Sequence, residues 1–203
     1  MIISAFDMFS IGIGPSSSHT VGPMRAAKKF TDDLTNNNLL DSVTAVKVEL
    51  FGSLGQTGIG HGTGKAVILG LAGYLPETVD PDAVPGLLKQ VSDEQQIRLA
   101  KVKPVSFPRE GAIVFHRRKT LKEHSNGMEL IAYDKDKNIV LRDVYFSIGG
   151  GFIVKADDFA KEKEAASQFA ADNPPPFPFE SGAELLALCK EHGLSIAGLM
   201  LEN

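Results

Sequence analysis

Apolar and polar positions alternate with the period of β-strands in three places along the chain. Residues 46–50 read V-K-V-E-L, so that every second side chain is apolar. The same alternation recurs over residues 128–133 and 139–146, which flank the polar segment 134–138. A period of two is typical of a strand with one buried face. A short polar segment between two such runs predicts a β-hairpin.

Helical patterns are interspersed irregularly with these strands. Residues 20–34, 63–72, 85–100 and 156–171 each show the spacing of apolar side chains that predicts a helix. Because strands and helices do not follow one another as regular β-α-β units, we expect an α+β fold. In this fold a mixed or antiparallel sheet packs against helices.

A proline-rich stretch predicts a domain boundary. Residues 172–180 contain four prolines, which favour an extended and stiff connection. We therefore predict a β domain over residues 1–171, a linker over 172–180, and the beginning of a helical domain over 181–203. Helices are predicted at 184–191 and 194–201. They are too short to bury a core, so we expect the chain to be the N-terminal part of a longer protein.

Composition and charge exclude several classes of partner. The 203 residues are 43% hydrophobic and 23% charged, as in a globular protein. The 21 Lys and Arg residues against 25 Asp and Glu residues give a net charge of -4. No overall basic field favours binding to nucleic acid or to an anionic membrane. A small anion would need a local site.

Two further observations indicate a cytoplasmic protein. The longest apolar run, residues 66–75, is about half as long as a bilayer span requires, and the N-terminus has no basic segment typical of a leader peptide. The single cysteine, Cys189, cannot form an internal disulfide. Alone it also cannot hold a zinc ion or an iron–sulfur cluster.

The segment G-P-S-S-S-H-T-V-G-P, residues 14–23, gathers hydroxyl groups where a helix begins. One serine is enough to cap a helix N-terminus. The additional hydroxyls, together with exposed helix N–H groups, favour a binding site for a carboxylate or phosphate. His19 would be a proton-transfer or cationic partner in that site. A Ser–His nucleophile pair is a third hypothesis, although adjacent residues rarely place the hydroxyl on the imidazole nitrogen.

A second glycine-rich stretch, residues 58–65, resembles a nucleotide-binding loop only superficially. Ile59 stands where that loop needs its first glycine, and Ala66 stands where it needs a Ser or Thr. What remains is a flexible helix start that carries His61 and Thr63. Its glycines either allow backbones to approach closely or leave N–H groups free to bind an anion.

Two more segments contain candidate residues. Residues 147–152, S-I-G-G-G-F, follow a predicted strand, and three glycines in a row predict a close approach to the backbone. Residues 123–128 contain the turn dipeptide Asn-Gly. From turn chemistry alone, His124 is predicted to be a surface residue.

Together these segments resemble the bacterial iron–sulfur L-serine dehydratases. The similarity runs from residue 3 to the end, and its motifs lie at residues 6–9, 11–24, 51–54, 60–63, 124–128 and 145–152. In single-chain members, a β domain of this length precedes a larger helical α domain. The family's cluster-binding cysteines lie in that α domain, and none of them is present here.

The resemblance implies a lyase that needs no pyridoxal phosphate and converts L-serine to pyruvate and ammonia. It also implies a 4Fe-4S cluster with one iron that lacks a permanent protein ligand and binds the serine hydroxyl as a Lewis acid. The chain would complete the substrate pocket facing that cluster, and alone it would be inactive. Its partners would be L-serine, its own α domain and a second copy in a homodimer.

The resemblance also suggests roles for individual residues. His19 and His61 are the expected catalytic residues, and no metal ligand is expected in this chain. The expected substrate-binding residues are Ser16, Ser17, Ser18, Thr20, Thr63, Ser147, Gly149 and Gly150.

A second resemblance concerns regulation. The β domain is similar to the allosteric substrate-binding domain of some D-3-phosphoglycerate dehydrogenases, in which the motif matching His124 and Asn126 is associated with effector binding. This implies a regulatory site for serine or an anion, distinct from the catalytic pocket. A stand-alone regulatory module without catalysis is therefore the alternative hypothesis for the whole chain.

Overall fold

The computed structural model describes residues 12–159, 161 and 175–203. The chain divides into two compact units, with residues 2–159 in one and residues 160–203 in the other. The predicted domain limits at 1–171, 172–180 and 181–203 stay a prediction.

The first unit mixes helices and strands, which confirms the predicted α+β class. Its helices are a π-helical turn at Ser17–Val21, α1 at Gly22–Asn36, a 3-10 turn at Leu40–Ser42, α2 at Gly52–Thr57, α3 at Thr63–Leu71 and α4 at Val84–Glu94. Its strands are β1 at Ala45–Leu50, β2 at Gln96–Leu99, β3 at Lys103–Ser106, β4 at Ile113–Phe115, β5 at Gly127–Tyr133, β6 at Ile139–Gly149 and β7 at Phe152–Lys155.

Within the described residues, seven strands form one mixed sheet. The strand order is β2-β3-β1-β5-β6-β7, and β4 pairs with β1. Strand β1 is parallel to β3 and β4 on one side and antiparallel to β5 on the other. Strands β5, β6 and β7 form an antiparallel meander. The mixed sheet is confirmed, whereas the resemblance to the dehydrogenase domain stays a prediction.

The alternating sequence of β1 gives this strand one buried face and one polar face. Val46, Val48 and Leu50 are buried in the main core, which the helices cover. Lys47 and Glu49 point to the opposite face and form an ion pair with each other. The period of two in the sequence therefore separates a core face from a charged face.

Helices α1 and α3 cross closely on the core side of the sheet. The apolar face of α1 buries Met24, Ala27 and Phe30 completely. A Cβ atom on Gly70 of α3 would lie 2.2 Å from the Met24 carbonyl oxygen. The two helix backbones can therefore meet at this point only because residue 70 has no side chain.

Two of the predicted helices are only partly found among the described residues. The predicted helix at 85–100 is confirmed as far as Glu94 and wrong beyond it, because the chain turns at Gln95 with φ of +50° and residues 96–99 form β2. Pairing with β3 buries Ile97 and Leu99, and this overrides the helical pattern. Of the predicted helix at 156–171, residues 156–159 are helical and nearly all the rest lies outside the described residues. The predicted hairpin of β5 and β6 is confirmed.

The described part of the second unit consists mainly of α5 at Gly182–His192 and α6 at Ile196–Glu202. Ser181 caps α5 and Ser195 caps α6 through their hydroxyl oxygens. Gly193 ends α5 in the left-handed conformation, which favours glycine. Both helices were predicted, with slightly different limits. No helix in the described parts of the chain has the length and apolarity needed to cross a membrane.

The close crossing of α1 and α3 predicts a strong effect of one methyl group. We expect Gly70→Ala to lower the free energy of unfolding by at least about 2 kcal/mol, because the crossing is already packed. Gly86→Ala on α4 is the matched control, since its Cβ would meet no atom within 4 Å. It should be neutral or stabilising by up to about 1 kcal/mol. Urea denaturation measures both, and equal effects of the two substitutions would contradict the prediction.

Candidate functional site

The serine-rich segment forms a wide helical turn that leads directly into α1. Ser16 has an extended backbone, and its Oγ accepts a hydrogen bond from the His19 backbone N–H at 3.2 Å. Its carbonyl oxygen accepts from the N–H groups of Thr20 and Val21, both at 3.1 Å. Ser16 therefore fulfils the capping role by itself, and the other hydroxyls of the segment make different contacts.

The imidazole ring of His19 lies between two serine hydroxyls. Ser18 Oγ is 2.9 Å from Nδ1, and Ser53 Oγ is 2.9 Å from Nε2. A neutral imidazole carries a proton on one nitrogen and a lone pair on the other. One serine therefore accepts a hydrogen bond from the ring while the other donates one, and together they fix the orientation of the ring.

The contact between Ser18 and His19 corrects the expectation that adjacent residues would not form such a pair. In a regular α-helix, adjacent side chains diverge by about 100° around the axis. The π-helical turn at Ser17–Val21 has more residues per turn, so this angle is smaller. Both ring nitrogens contact serines, and no carboxylate in the described part of the chain hydrogen-bonds to either. The orienting acid of a nucleophile triad is therefore not found among these residues.

Ser53 is a site residue that the sequence analysis did not assign. Strand β1 ends at Leu50, and Gly52 turns the chain with φ of +55°. Ser53 follows in the first turn of α2, where its backbone N–H donates to the Ser125 carbonyl oxygen at 2.8 Å. A Gly-Ser pair directly after a predicted strand was the available signal. The pair also belongs to the motif at residues 51–54, which contributed to the family resemblance.

The ring of His61 has one nitrogen fixed and one available. Nδ1 lies 3.0 Å from the Thr57 carbonyl oxygen. Because a carbonyl oxygen only accepts hydrogen bonds, Nδ1 carries the proton, and the lone pair of the neutral ring is on Nε2. Among the described residues, Nε2 has no hydrogen-bond partner. This arrangement suits a general base.

Two buried threonines join the segments that carry the histidines. Thr20 Oγ1 donates to the His61 carbonyl oxygen at 2.9 Å, and Thr63 Oγ1 donates to the His19 carbonyl oxygen at 2.6 Å. Both threonines are almost completely buried. As a result, the His19 and His61 rings lie side by side, with centroids 4.9 Å apart.

Burial and a neighbouring histidine keep His19 neutral. Desolvation lowers the pKa of His19 below its ordinary value, and the proximity of His61 lowers the pKa further. A hydrogen bond with the Ser53 backbone opposes this lowering of the pKa. At neutral pH the His19 ring is therefore an uncharged group with one donor and one acceptor nitrogen.

Ser147 lies beside Gly22, where the serine-rich segment passes into α1. Its Oγ is fully buried and has no hydrogen-bond partner among the described residues. A Cβ atom on Gly22, the first residue of α1, would lie 2.1 Å from this Oγ. The close backbone approach predicted for this region therefore occurs at Gly22, which is part of the first glycine-rich segment.

The three glycines after Ser147 have a conformational role instead. Gly149, Gly150 and Gly151 have φ of +99°, +60° and +82°, a conformation that favours glycine. They form the tight turn between β6 and β7. A Cβ on Gly149 would meet nothing within 4 Å, and one on Gly150 would meet only the ring of Phe152. The predicted close approach is wrong for Gly149, whereas at Gly150 the Phe152 ring would lie 3.0 Å from the added Cβ.

The pair His124 and Asn126 lies next to Ser147. Asn126 Nδ2 donates to the Ser147 carbonyl oxygen at 3.1 Å, and the Ser147 N–H donates to the Asn126 carbonyl oxygen at 3.0 Å. The Asn126 N–H donates to His124 Nδ1 at 3.0 Å. His124 also faces the rings of Phe146 and Phe159. It is thus a partly buried residue and not the surface residue expected from turn chemistry.

A cavity of about 310 Å³ opens beside His61. Thr20, Lys65 and the glycines on either side of His61 line it, together with apolar residues. Another cavity, of about 340 Å³, lies between α3, α4 and β2. None of the predicted site residues lines that second cavity.

Comparison with known proteins identifies the family. A family model described as serine dehydratase beta chain matches residues 4–158, which is more than half of the chain. The chain therefore belongs to the serine dehydratase beta chain family. It is 50% identical over its full length to an L-serine dehydratase of Streptomyces coelicolor and 49% identical to L-serine dehydratase 1 of Escherichia coli. It is 44% identical to an L-serine dehydratase of Haemophilus influenzae. It covers 44%, 43% and 43% of these proteins, respectively, and so spans less than half of their length.

The environment of His19 predicts its titration in this serine dehydratase beta chain. We expect the NMR titration midpoint of His19 to lie below about 6.5, because burial and His61 disfavour the imidazolium ion. His61→Gln should raise the midpoint, since it removes one of the two causes. Ser53→Ala should change it less than His61→Gln does, since the opposing hydrogen bond is made with the Ser53 backbone, which the substitution keeps. A midpoint at or above 6.5 in the unsubstituted protein would contradict this account.

Proposed function

We propose that this chain binds L-serine and handles its α-proton in an L-serine dehydratase, a lyase that forms pyruvate and ammonia. The similar proteins carry the name L-serine dehydratase, although the chain covers less than half of each. The observation that carries the proposal is the His61 ring, which lines a cavity and donates from Nδ1 to the Thr57 carbonyl oxygen, while Nε2 has no hydrogen-bond partner among the described residues.

The reaction needs a base held in a defined position. Elimination takes the α-proton and the β-hydroxyl from L-serine and leaves aminoacrylate and water. The α-proton is weakly acidic and hydroxide is a poor leaving group, so the base must act together with activation of the hydroxyl. Aminoacrylate then tautomerises to the imine, and water hydrolyses the imine to pyruvate and ammonia.

His61 is proposed as the base. Its Nε2 would accept the α-proton, while Nδ1–H stays hydrogen-bonded to the Thr57 carbonyl oxygen. That carbonyl oxygen fixes the tautomer of the ring before the reaction. His19 would assist by staying uncharged, because a second cation at 4.9 Å would oppose protonation of His61.

We propose fewer substrate-binding residues than the sequence suggested. Thr20 and Thr63 donate their hydroxyl protons to backbone carbonyls, so we propose that they position the histidines. Ser147 stays a proposed substrate contact, because its fully buried Oγ has no hydrogen-bond partner among the described residues. The other proposed contacts are the hydroxyls of Ser16, Ser17 and Ser18 and the amides of Gly149 and Gly150.

A 4Fe-4S cluster does not fit on the described residues. The chain has one cysteine, Cys189, in the second unit. The parts of the chain that the structure describes also contain no group of three or more His, Cys, Asp or Glu side chains suited to a metal ion. The cluster implied by the resemblance would need ligands from outside these residues. Its presence in an α domain and the inactivity of this chain alone remain proposals.

A regulatory role is proposed for His124 and Asn126. The supporting observation is that Asn126 binds the backbone of Ser147, while the adjacent Ser125 accepts from the backbone of Ser53. An effector on this turn would therefore contact residues that also support the proposed catalytic pocket. The stand-alone regulatory module remains the alternative function. A homodimer and a cytoplasmic location are also proposals.

The role of His61 can be tested by substitution in the full-length protein that contains this chain. We expect His61→Gln to lower kcat for pyruvate formation by at least about 100-fold, the usual effect of losing a general base. Binding of L-serine should persist. L-serine deuterated at the α-carbon should react more slowly than unlabelled L-serine in the unsubstituted protein. His192→Gln, in the second unit, is the matched control and should retain full activity.

If His61→Gln keeps most of its turnover, His61 is not the base. If instead the unsubstituted full-length protein forms no pyruvate but still binds L-serine, the stand-alone regulatory function is favoured.

The regulatory proposal predicts different effects for the two residues of the turn. We expect His124→Ala to change how the rate depends on serine concentration while the rate at saturating serine stays close to normal. Asn126→Ala should alter both the serine dependence and the rate at saturating serine, because the Asn126 side chain binds the Ser147 backbone. Initial rates over a wide range of serine concentrations measure this. An unchanged serine dependence in His124→Ala would contradict an effector role.

A further inference from the structure

Most hydroxyl groups expected to bind the substrate carboxylate have other partners. Ser16 Oγ accepts from a backbone N–H, and Ser18 Oγ contacts Nδ1 of His19. Thr20 and Thr63 donate to backbone carbonyl oxygens. A buried carboxylate needs donors or a cation to replace its hydration. The positive charge that binds the substrate carboxylate must therefore come from another residue.

Lys65 supplies a positive charge at the cavity beside His61. Its position is in the first turn of α3, and its side chain lines this cavity with His61 and Thr20. No Asp or Glu lines the cavity, whose floor includes the apolar residues Ala66 and Leu69. A volume of about 310 Å³ is within the range of small-molecule sites.

The other lysines on helices α1 and α4 are neutralised by a neighbouring acid, whereas Lys65 on α3 is not. Lys28, Lys29 and Lys89 each form an ion pair with an aspartate four residues further along the helix. The residue four positions after Lys65 is Leu69. Within the part of the chain that the structure describes, Lys65 has no ion-pair partner, and its charge is available to a ligand.

We propose that the Lys65 ammonium group binds the α-carboxylate of the substrate in this cavity. The proposal rests on the proposed function, since it identifies how the same site would select an amino acid. Binding at Lys65 places the carboxylate in the cavity that His61 lines, so the adjacent α-carbon is brought towards the proposed base. A ligand without a carboxylate would leave the ammonium group without its partner.

The decisive experiment compares charge variants of the full-length protein. We expect Lys65→Met to raise KM for L-serine by about 10- to 100-fold with little change in kcat, because it removes a charge-assisted contact made equally in ground and transition states. Lys65→Arg should restore most of the affinity, since it keeps the charge. Lys89→Met is the matched control for an exposed helical lysine and should change neither constant.

Binding measured by calorimetry distinguishes the loss of a carboxylate contact from a general structural effect of the substitution. Lys65→Met should weaken the binding of L-serine and of pyruvate but leave that of L-serine amide unchanged, because the amide lacks the carboxylate. Thermal unfolding should be the same in all variants. Unchanged L-serine binding by Lys65→Met would overturn the proposal. Equal weakening of L-serine and L-serine amide would overturn it as well.

Pyruvate binding also distinguishes this proposal from the proposed function. If the full-length protein neither binds nor converts L-serine, the proposed function fails. Pyruvate that still binds, and binds more weakly to Lys65→Met, would then support Lys65 as a carboxylate site. A protein that binds pyruvate equally well with and without Lys65 would refute the assignment in either case.

Discussion

Two reciprocal hydrogen bonds hold the histidine-bearing segments side by side. Thr20 donates to the carbonyl oxygen of His61, and Thr63 donates to the carbonyl oxygen of His19. At such buried positions, a hydroxyl or carbonyl without a partner would cost about 1–3 kcal/mol. Neither segment can slide along the other without breaking both bonds. The pairing of the two imidazoles therefore depends on residues that do not themselves need to touch a substrate.

The sheet brings the remaining parts of the site to these histidines. Shortly after the end of β1, Ser53 places its hydroxyl at Nε2 of His19. Strand β5, the antiparallel neighbour of β1, begins directly after Asn126. Ser125 accepts from the Ser53 backbone, and Asn126 binds the Ser147 backbone. The proposed catalytic and regulatory residues are thus joined by a short chain of hydrogen bonds, although they are far apart in the sequence.

Charges are distributed so that the site can favour an anion. Several carboxylates of the first unit are paired with cations, as in the contacts of Glu49 with Lys47 and of Asp143 with Lys155. Beside His61, by contrast, the cavity contains Lys65 without an opposing acid. Because His19 stays neutral, this ammonium group is the main fixed positive charge at the cavity.

The sequence by itself determined the α+β class, the β5–β6 hairpin and the family, because strand alternation and motif spacing are local properties. It also singled out both histidines. Only the tertiary structure decided which partners they have. The contacts of His19 with Ser53 and of Thr63 with the His19 carbonyl join residues 34 and 44 positions apart, and no local pattern encodes them. Strand β2 escaped prediction for the same reason, since its pairing with β3 overrides a helical pattern.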